Sequence, residues 1–160
     1  MKIDRALDMM KPGLFWVQNL RNRVVMGVTL GVRALVTDEE GGILLVRHSY
    51  IPGWHFPGGA VEPGETALAS LERELLEETG LSADGPSALL GLYFNERHAG
   101  RDHVALYRME ATRRVRPFVP NAEIREAGFF PPSDLPADAS GATRRRIGEH
   151  LFGAVVSDRW

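Results

Sequence analysis

Hydrophobic and polar positions follow two different rhythms along this chain. Residues 24–37 are rich in β-branched and aliphatic side chains and read as a strand. The polar stretch Asp38-Glu39-Glu40-Gly41-Gly42 follows. Residues 43–46 then resume as a second strand ending in Arg47-His48, which together predicts a hairpin. Residues 49–57, with Trp54, His55 and Phe56, read as a loop, and a short strand is expected through residues 58–61. From residue 66 the rhythm changes. Leu68, Leu71 and Leu75 recur at i, i+3 and i+7, so they share one face of a helix, and that face is expected to be buried. Thr66 suits the N-cap, because its hydroxyl can accept a free N–H of the first turn. Gly80 suits the left-handed stop at the other end.

After the helix, residues 82–86 read as a linker. Residues 87–95 and 103–111 are two further strands, and residues 122–130 contain another beyond a break at 117–121. Residues 133–136 suit a turn. Residues 143–155 read as the last helix, with Ile147, Leu151 and Val155 at i, i+4 and i+8. Residues 1–23 form an extension ahead of a single domain over residues 24–160. In it Ile3, Leu7 and Met10 have helical spacing, Lys11-Pro12-Gly13 interrupts them, and Leu14, Phe15, Trp16, Val17 and Leu20 form an apolar cluster. Packing on the domain or on a second subunit is expected for it, rather than membrane contact. Strands in the middle with two helices give an α+β fold with a mixed sheet.

Composition narrows the function classes. At 160 residues the chain is one domain by length, and a net charge of -2 argues against general attraction to nucleic acid or anionic lipid. With no cysteine there is no disulfide, no thiol nucleophile and no zinc–thiolate site. No apolar run is long enough to span a bilayer and no signal-peptide pattern is visible, so a cytoplasmic protein is the default expectation.

The candidate chemistry lies on the first helix. At ~3.6 residues per turn, Glu74, Glu77 and Glu78 fall within an arc of roughly 100°, to one side of the leucine stripe. Like charges at this spacing repel by about 0.2–0.5 kcal/mol per pair, and they stand near the negative end of the helix dipole. A divalent cation relieves both problems, and Mg2+ takes such oxygen ligands. A glycine-rich loop, Gly58-Gly59-Ala60-Val61-Glu62-Pro63-Gly64-Glu65, runs directly into this helix.

Residues 59–81 carry Gly59, Glu65, Arg73, Glu74, Leu75, Glu77, Glu78, Gly80 and Leu81 at the spacing of a Nudix box, with no specified position missing. The chain therefore resembles a Nudix hydrolase. That resemblance implies an α/β/α sandwich with a mixed β-sheet, in which the box forms a loop–helix–loop. It also implies Mg2+ or Mn2+ dependence and hydrolysis of a phosphoanhydride bond in a nucleotide-derived small molecule. A nucleoside diphosphate linked to another moiety, such as ADP-ribose, is the first expectation. A nucleoside triphosphate in the manner of MutT, or a non-catalytic nucleotide-binding module, is the alternative. By the same resemblance Glu74, Glu77 and Glu78 are the metal-binding carboxylates, with the Gly59 carbonyl as a further ligand. Arg73 is an organising residue that can pair with Glu65 or a neighbouring acid. The general base is left between a box glutamate and a distant carboxylate, Glu123 or Glu126. Arg33, Arg47, Trp54, His55, Arg97 and Arg101 are candidates for gripping phosphate or stacking on a base, with Arg47 first among them. His48, His98 and His103 show no metal-ligand spacing. No membrane or stable nucleic acid complex is expected. A homodimer is compatible with the family, with Phe15-Trp16 as its contact.

Overall fold

The computed structural model describes residues 27–96 and 100–160. Its elements are β1 (Thr29–Val36), β2 (Ile43–His48), β3 (Trp54–His55), α1 (Ala67–Thr79), β4 (Leu81–Ala83), β5 (Ser87–Asn95), β6 (Asp102–Met109), β7 (Thr112–Arg114), β8 (Ile124–Phe130) and α2 (Gly141–Leu151). The N-terminal extension and the expected Phe15-Trp16 contact lie outside the described residues, as do Arg97 and His98.

Three small sheets share the core. One is ordered β1-β6-β5, with β1 parallel and β5 antiparallel to β6. A second, ordered β3-β2-β8, is antiparallel throughout, and β4 pairs with β7. Side chains alternate along each strand, so the two faces feed different clusters. Val32, Ala34, Val36 and Leu44 meet Leu71 and Leu75 of α1. Leu35, Ile43 and Leu45 meet Tyr93 and Ile147 of α2. The result is the expected α+β sandwich, with α1 on one side of the strands and α2 on the other. No helix among the described residues is long and apolar enough to cross a membrane.

The expected hairpin is not formed as a ladder. Strands β1 and β2 belong to different sheets, and their backbones are joined by an isolated bridge between Thr37 and Ile43 rather than by a ladder. The turn between them is closed by Asp38, whose Oδ1 accepts from Glu40 N–H and Gly42 N–H at 3.1 and 2.7 Å. The edge of β1 is taken by the glycine-rich loop instead. Val32 N–H donates to Gly59 O at 2.8 Å, Ala34 N–H to Pro57 O at 2.9 Å, and Val61 N–H to Leu30 O at 2.9 Å. These bonds satisfy backbone groups that an edge strand would leave open, and they set the loop's height above the sheet.

Three further expectations are corrected. Leu68 is 41% exposed while Leu71 and Leu75 are fully buried, so the buried stripe is narrower than the spacing suggests. The last helix ends at Leu151, and Val155 beyond it is 94% exposed. The stretch taken for a linker begins inside β4, and neither β4 nor β7 has an apolar pattern to betray it. The chain's last residues follow the edge of β5, where Phe94 N–H donates to Asp158 O at 2.8 Å and Trp160 N–H to Phe94 O at 2.9 Å. Buried Arg146 pins that tail. It sits 4.0 Å above the Tyr93 ring and donates to Arg159 O at 2.8 Å.

Candidate active site

Helix α1 holds the box glutamates, and its ends are set as the sequence predicts. Thr66 Oγ1 accepts the Ala69 N–H at 3.1 Å, and Gly80 closes the helix with φ 74. Arg73 ties the loop to this helix. Its Nε and Nη2 donate to the two carboxylate oxygens of Glu65 at 2.9 and 3.1 Å, a forked pair. Nη1 reaches Glu74 Oε1 at 2.8 Å and Glu77 Oε2 at 3.4 Å. The fork holds the Glu65 carboxyl down at about 2, helped by the Glu62 N–H. Buried Ser70 adds a bond from its hydroxyl to Ala60 O at 3.0 Å.

The glycines shape the space that the carboxylates occupy. A Cβ on Gly59 would lie 2.3 Å from Glu74 Oε1, so only glycine lets that carboxylate rest against the loop. Gly58 has φ 135, and a Cβ there would fall 2.1 Å from Val32 O. Its N–H donates to Glu78 Oε2 at 2.8 Å. The Gly59 carbonyl already accepts from Val32 N–H, but a carbonyl oxygen has two lone pairs, so a second partner remains open to it.

Glu78 is turned inward and only 4% exposed. Burial pushes its carboxyl up to about 8; Arg33 and the Gly58 N–H oppose the rise, while Glu74 and Glu123 add to it. Glu74 is raised as well, by burial first, against the pull of Arg73 and with Glu77 and Glu123 adding. The loop after β7 thus brings Glu123 into the field of the box acids. Asn121 Oδ1 fixes that segment by accepting from Glu123 N–H and Ile124 N–H, each at 2.8 Å. Tyr50 O–H donates to Glu123 Oε1 at 3.3 Å. The phenol is pushed up to about 12, chiefly by burial and then by Glu123.

The remaining candidates are placed elsewhere. Arg47 pairs with Glu126 at 3.0 Å and approaches Asp138 at 3.8 Å. Its side chain is half-exposed, whereas that of His48, across a shift in the pairing of β2 with β8, is buried. Trp54 is 8% exposed and meets Phe130 edge-on at 4.8 Å, so it packs in the core rather than offering a face to a base. Arg33 Nη1 donates to Phe56 O and Gly58 O, which makes it a prop beneath the loop and the cation nearest in effect to Glu78. His55 Nε2 contacts Pro52 O at 2.9 Å. Arg101 is exposed just before β6, its carbonyl accepting from Thr29 N–H at 3.0 Å.

Sequence reasoning set His48 aside for want of metal-ligand spacing and did not single out Tyr50. His48 is buried beside Glu78, and burial, Arg33 and His55 together lower its pKa to about 4. The available signal was its place next to Arg47 on a short strand leading into the loop.

Among the described residues, no three acidic or histidine side chains stand in a ready-made coordination cage. The donor set nonetheless fits a hard divalent cation. It consists of carboxylates and a carbonyl, and the acids raise one another's pKa in a way that a 2+ charge would reverse. A stability measurement checks this. Free of metal, the folded protein keeps a proton on Glu78 between the ordinary 4.5 and about 8, whereas the unfolded chain has released it. Buried His48, lowered to about 4, acts in the opposite sense below its ordinary 6.5, so stability is expected to fall as pH rises from about 6.5 to 8, by about 1 kcal/mol per pH unit. Millimolar Mg2+ should flatten the fall by stabilising the ionised carboxylate. A metal-free melting temperature that is level from pH 6.5 to 8 would contradict the assignment.

Comparison with known proteins gives the family. A NUDIX domain family model matches residues 27–151, most of the chain. The chain belongs to the Nudix family. A Bacillus subtilis (strain 168) protein provisionally named an 8-oxo-dGTP diphosphatase is 41% identical over 76 residues, covering 48% of this chain and 50% of that one. An RNA pyrophosphohydrolase from Halorhodospira halophila is 42% identical over 67 residues, 41% of this chain and 35% of that one. The chain thus spans half or less of the length of these curated relatives. Among solved structures, the MutT NUDIX hydrolase from Burkholderia pseudomallei superposes with a TM-score of 0.63 at 25% identity, over 77% of this Nudix chain and 98% of that chain.

Proposed function

We propose that this Nudix protein hydrolyses a phosphoanhydride bond of a nucleotide-derived small molecule with the help of Mg2+ or Mn2+. One observation carries the reading. Glu78 is a buried carboxylate whose charge is opposed by Glu74 and Glu123, in a loop–helix frame locked by Arg73. Such an arrangement weakens the fold unless a cation or a proton is present.

Glu74, Glu77 and Glu78, with the Gly59 carbonyl, would hold the ion. When bound it would neutralise phosphate oxygens and align the attacking water with the leaving phosphate. The chain's own residues do the rest. Arg73 and Glu65 keep loop and helix in fixed relation, which positions the carboxylates in advance of substrate. Glu123 is the better-placed proton acceptor, because it joins the box acids while Glu126 is paired with Arg47. With Arg47 engaged by Glu126 and Trp54 in the core, recognition of the base falls to other groups.

For the substrate, a nucleoside triphosphate has more support than ADP-ribose. The relatives named above are an 8-oxo-dGTP diphosphatase and an RNA pyrophosphohydrolase, both named for triphosphate-ended or RNA substrates. A non-catalytic nucleotide-binding module is disfavoured because every box carboxylate is present. The test is a panel of ordinary and oxidised nucleoside triphosphates, ADP-ribose and dinucleoside polyphosphates, each with Mg2+ and with Mn2+. Release of nucleoside monophosphate and pyrophosphate from a triphosphate is the expected result. Turnover of ADP-ribose alone would reverse the substrate order, and no metal-dependent turnover on any member would overturn the hydrolase reading.

A further inference from the structure

His48 is the unexplained group nearest this centre. Its side chain is 1% exposed, and both ring nitrogens are buried without a hydrogen-bond partner. Buried polar atoms are nearly always paired, so two orphans on one ring call for a physical account. The rings of Tyr50 and His55 flank it at 5.1 and 5.8 Å between centroids. Arg33 is also close enough to act on the ring, and Glu78 Oε1 lies 3.9 Å from Nε2. That distance is beyond a hydrogen bond, but a small rotation of either side chain closes it. The other oxygen of the same carboxylate is already held by the Gly58 N–H at 2.8 Å.

We propose that His48 is a positioning residue for Glu78. Its neutral imidazole donates from Nε2 to Oε1 when Glu78 carries its charge, so that the carboxylate is gripped from behind at both oxygens and presented in one orientation. The inference rests on the proposed metal-dependent function, in which Glu78 is one of the carboxylates that would hold the ion. Carboxylates that bind metals are themselves held by hydrogen bonds, and loss of such a partner typically weakens metal binding 10–100-fold. The neutral ring has one N–H, so a single tautomer serves. It spends no charge of its own against the cation.

The test is direct Mn2+ binding to the full-length protein, followed by calorimetry, for the unaltered chain, His48→Leu and His48→Gln. Glutamine keeps a donor near the position of Nε2; leucine removes it. The leucine variant is expected to bind Mn2+ about 10–100-fold more weakly, and the glutamine variant to recover most of the affinity. Metal-free melting temperatures separate this from a packing effect: the leucine variant should melt at or above the unaltered protein, because two unpaired polar atoms are gone. Unaltered affinity in His48→Leu, or equal weakening in both variants, overturns the positioning role while leaving the proposed function standing. Absence of Mn2+ binding by the unaltered protein overturns both.

Discussion

Glu78→Gln is expected to give a folded protein whose turnover has dropped by about 10²–10⁴-fold, the loss that follows removal of one essential charged group at a reacting centre. Glutamine is nearly isosteric, and its amide oxygen can still accept the Gly58 N–H that now ends on Oε2. What disappears is the charge. The amide cannot exchange a proton for a cation, so the variant keeps its frame and loses its ligand. A second effect runs the other way. Because burial is what raises the Glu78 carboxyl, a neutral side chain there removes a penalty on folding at neutral pH. The metal-free variant should therefore match or exceed the unaltered protein in melting temperature at pH 8 and lose the decline with pH. Circular dichroism establishes the fold, and kcat/KM at saturating Mg2+ reads the chemistry. Turnover equal to that of the unaltered protein would remove Glu78 from the machinery.

Gly58→Ala should strike the same centre through the backbone. The glycine has φ 135, and an added methyl would lie 2.1 Å from Val32 O, a main-chain atom of β1 that cannot swing aside. Strain at positive φ costs about 1–2 kcal/mol, and overpacking adds roughly 1–3 kcal/mol. For a domain of this size a loss of about 3 kcal/mol lowers the melting temperature by roughly 6–12 °C. Relief requires the loop to lift from β1. That would break the Val32 and Ala34 bonds and withdraw the Gly58 N–H from Glu78. Activity should fall together with stability, in contrast to Glu78→Gln, where the two separate. A variant that melts within a degree of the unaltered protein would show that the loop adapts more freely than these contacts allow.

The box was legible because its demands are local. Helix start, helix stop and the Arg73 to Glu65 pairing depend on residues within one turn or one loop of each other, and all stand as the spacing implies. The α+β class with a mixed sheet also followed from counting strands and helices, and its layering from the resemblance that the box carries. What the chain concealed was decided at long range. Nothing local says that β1 takes the loop as its edge partner in place of β2. Trp54 carries the same signal whether it meets a base or Phe130. Arg47 looks like a phosphate ligand until β8 sets Glu126 beside it, 79 positions along the chain. Glu78 reads as one of three clustered acids on a single arc of the helix, and its burial emerges only when Gly58 and His48 close over it. Leu68 shows the limit of periodicity, which tells which residues share a face but not how far that face is covered.

The bonding of residues 57–61 to β1 reaches beyond chemistry. An uncovered strand edge is a template for a neighbouring molecule's backbone, and proteins guard against that route to aggregation. Here the guard is the loop that also seats the carboxylates. Substitutions that loosen it to admit a new substrate would bare β1, so changes in specificity and resistance to self-association are constrained by the same few residues.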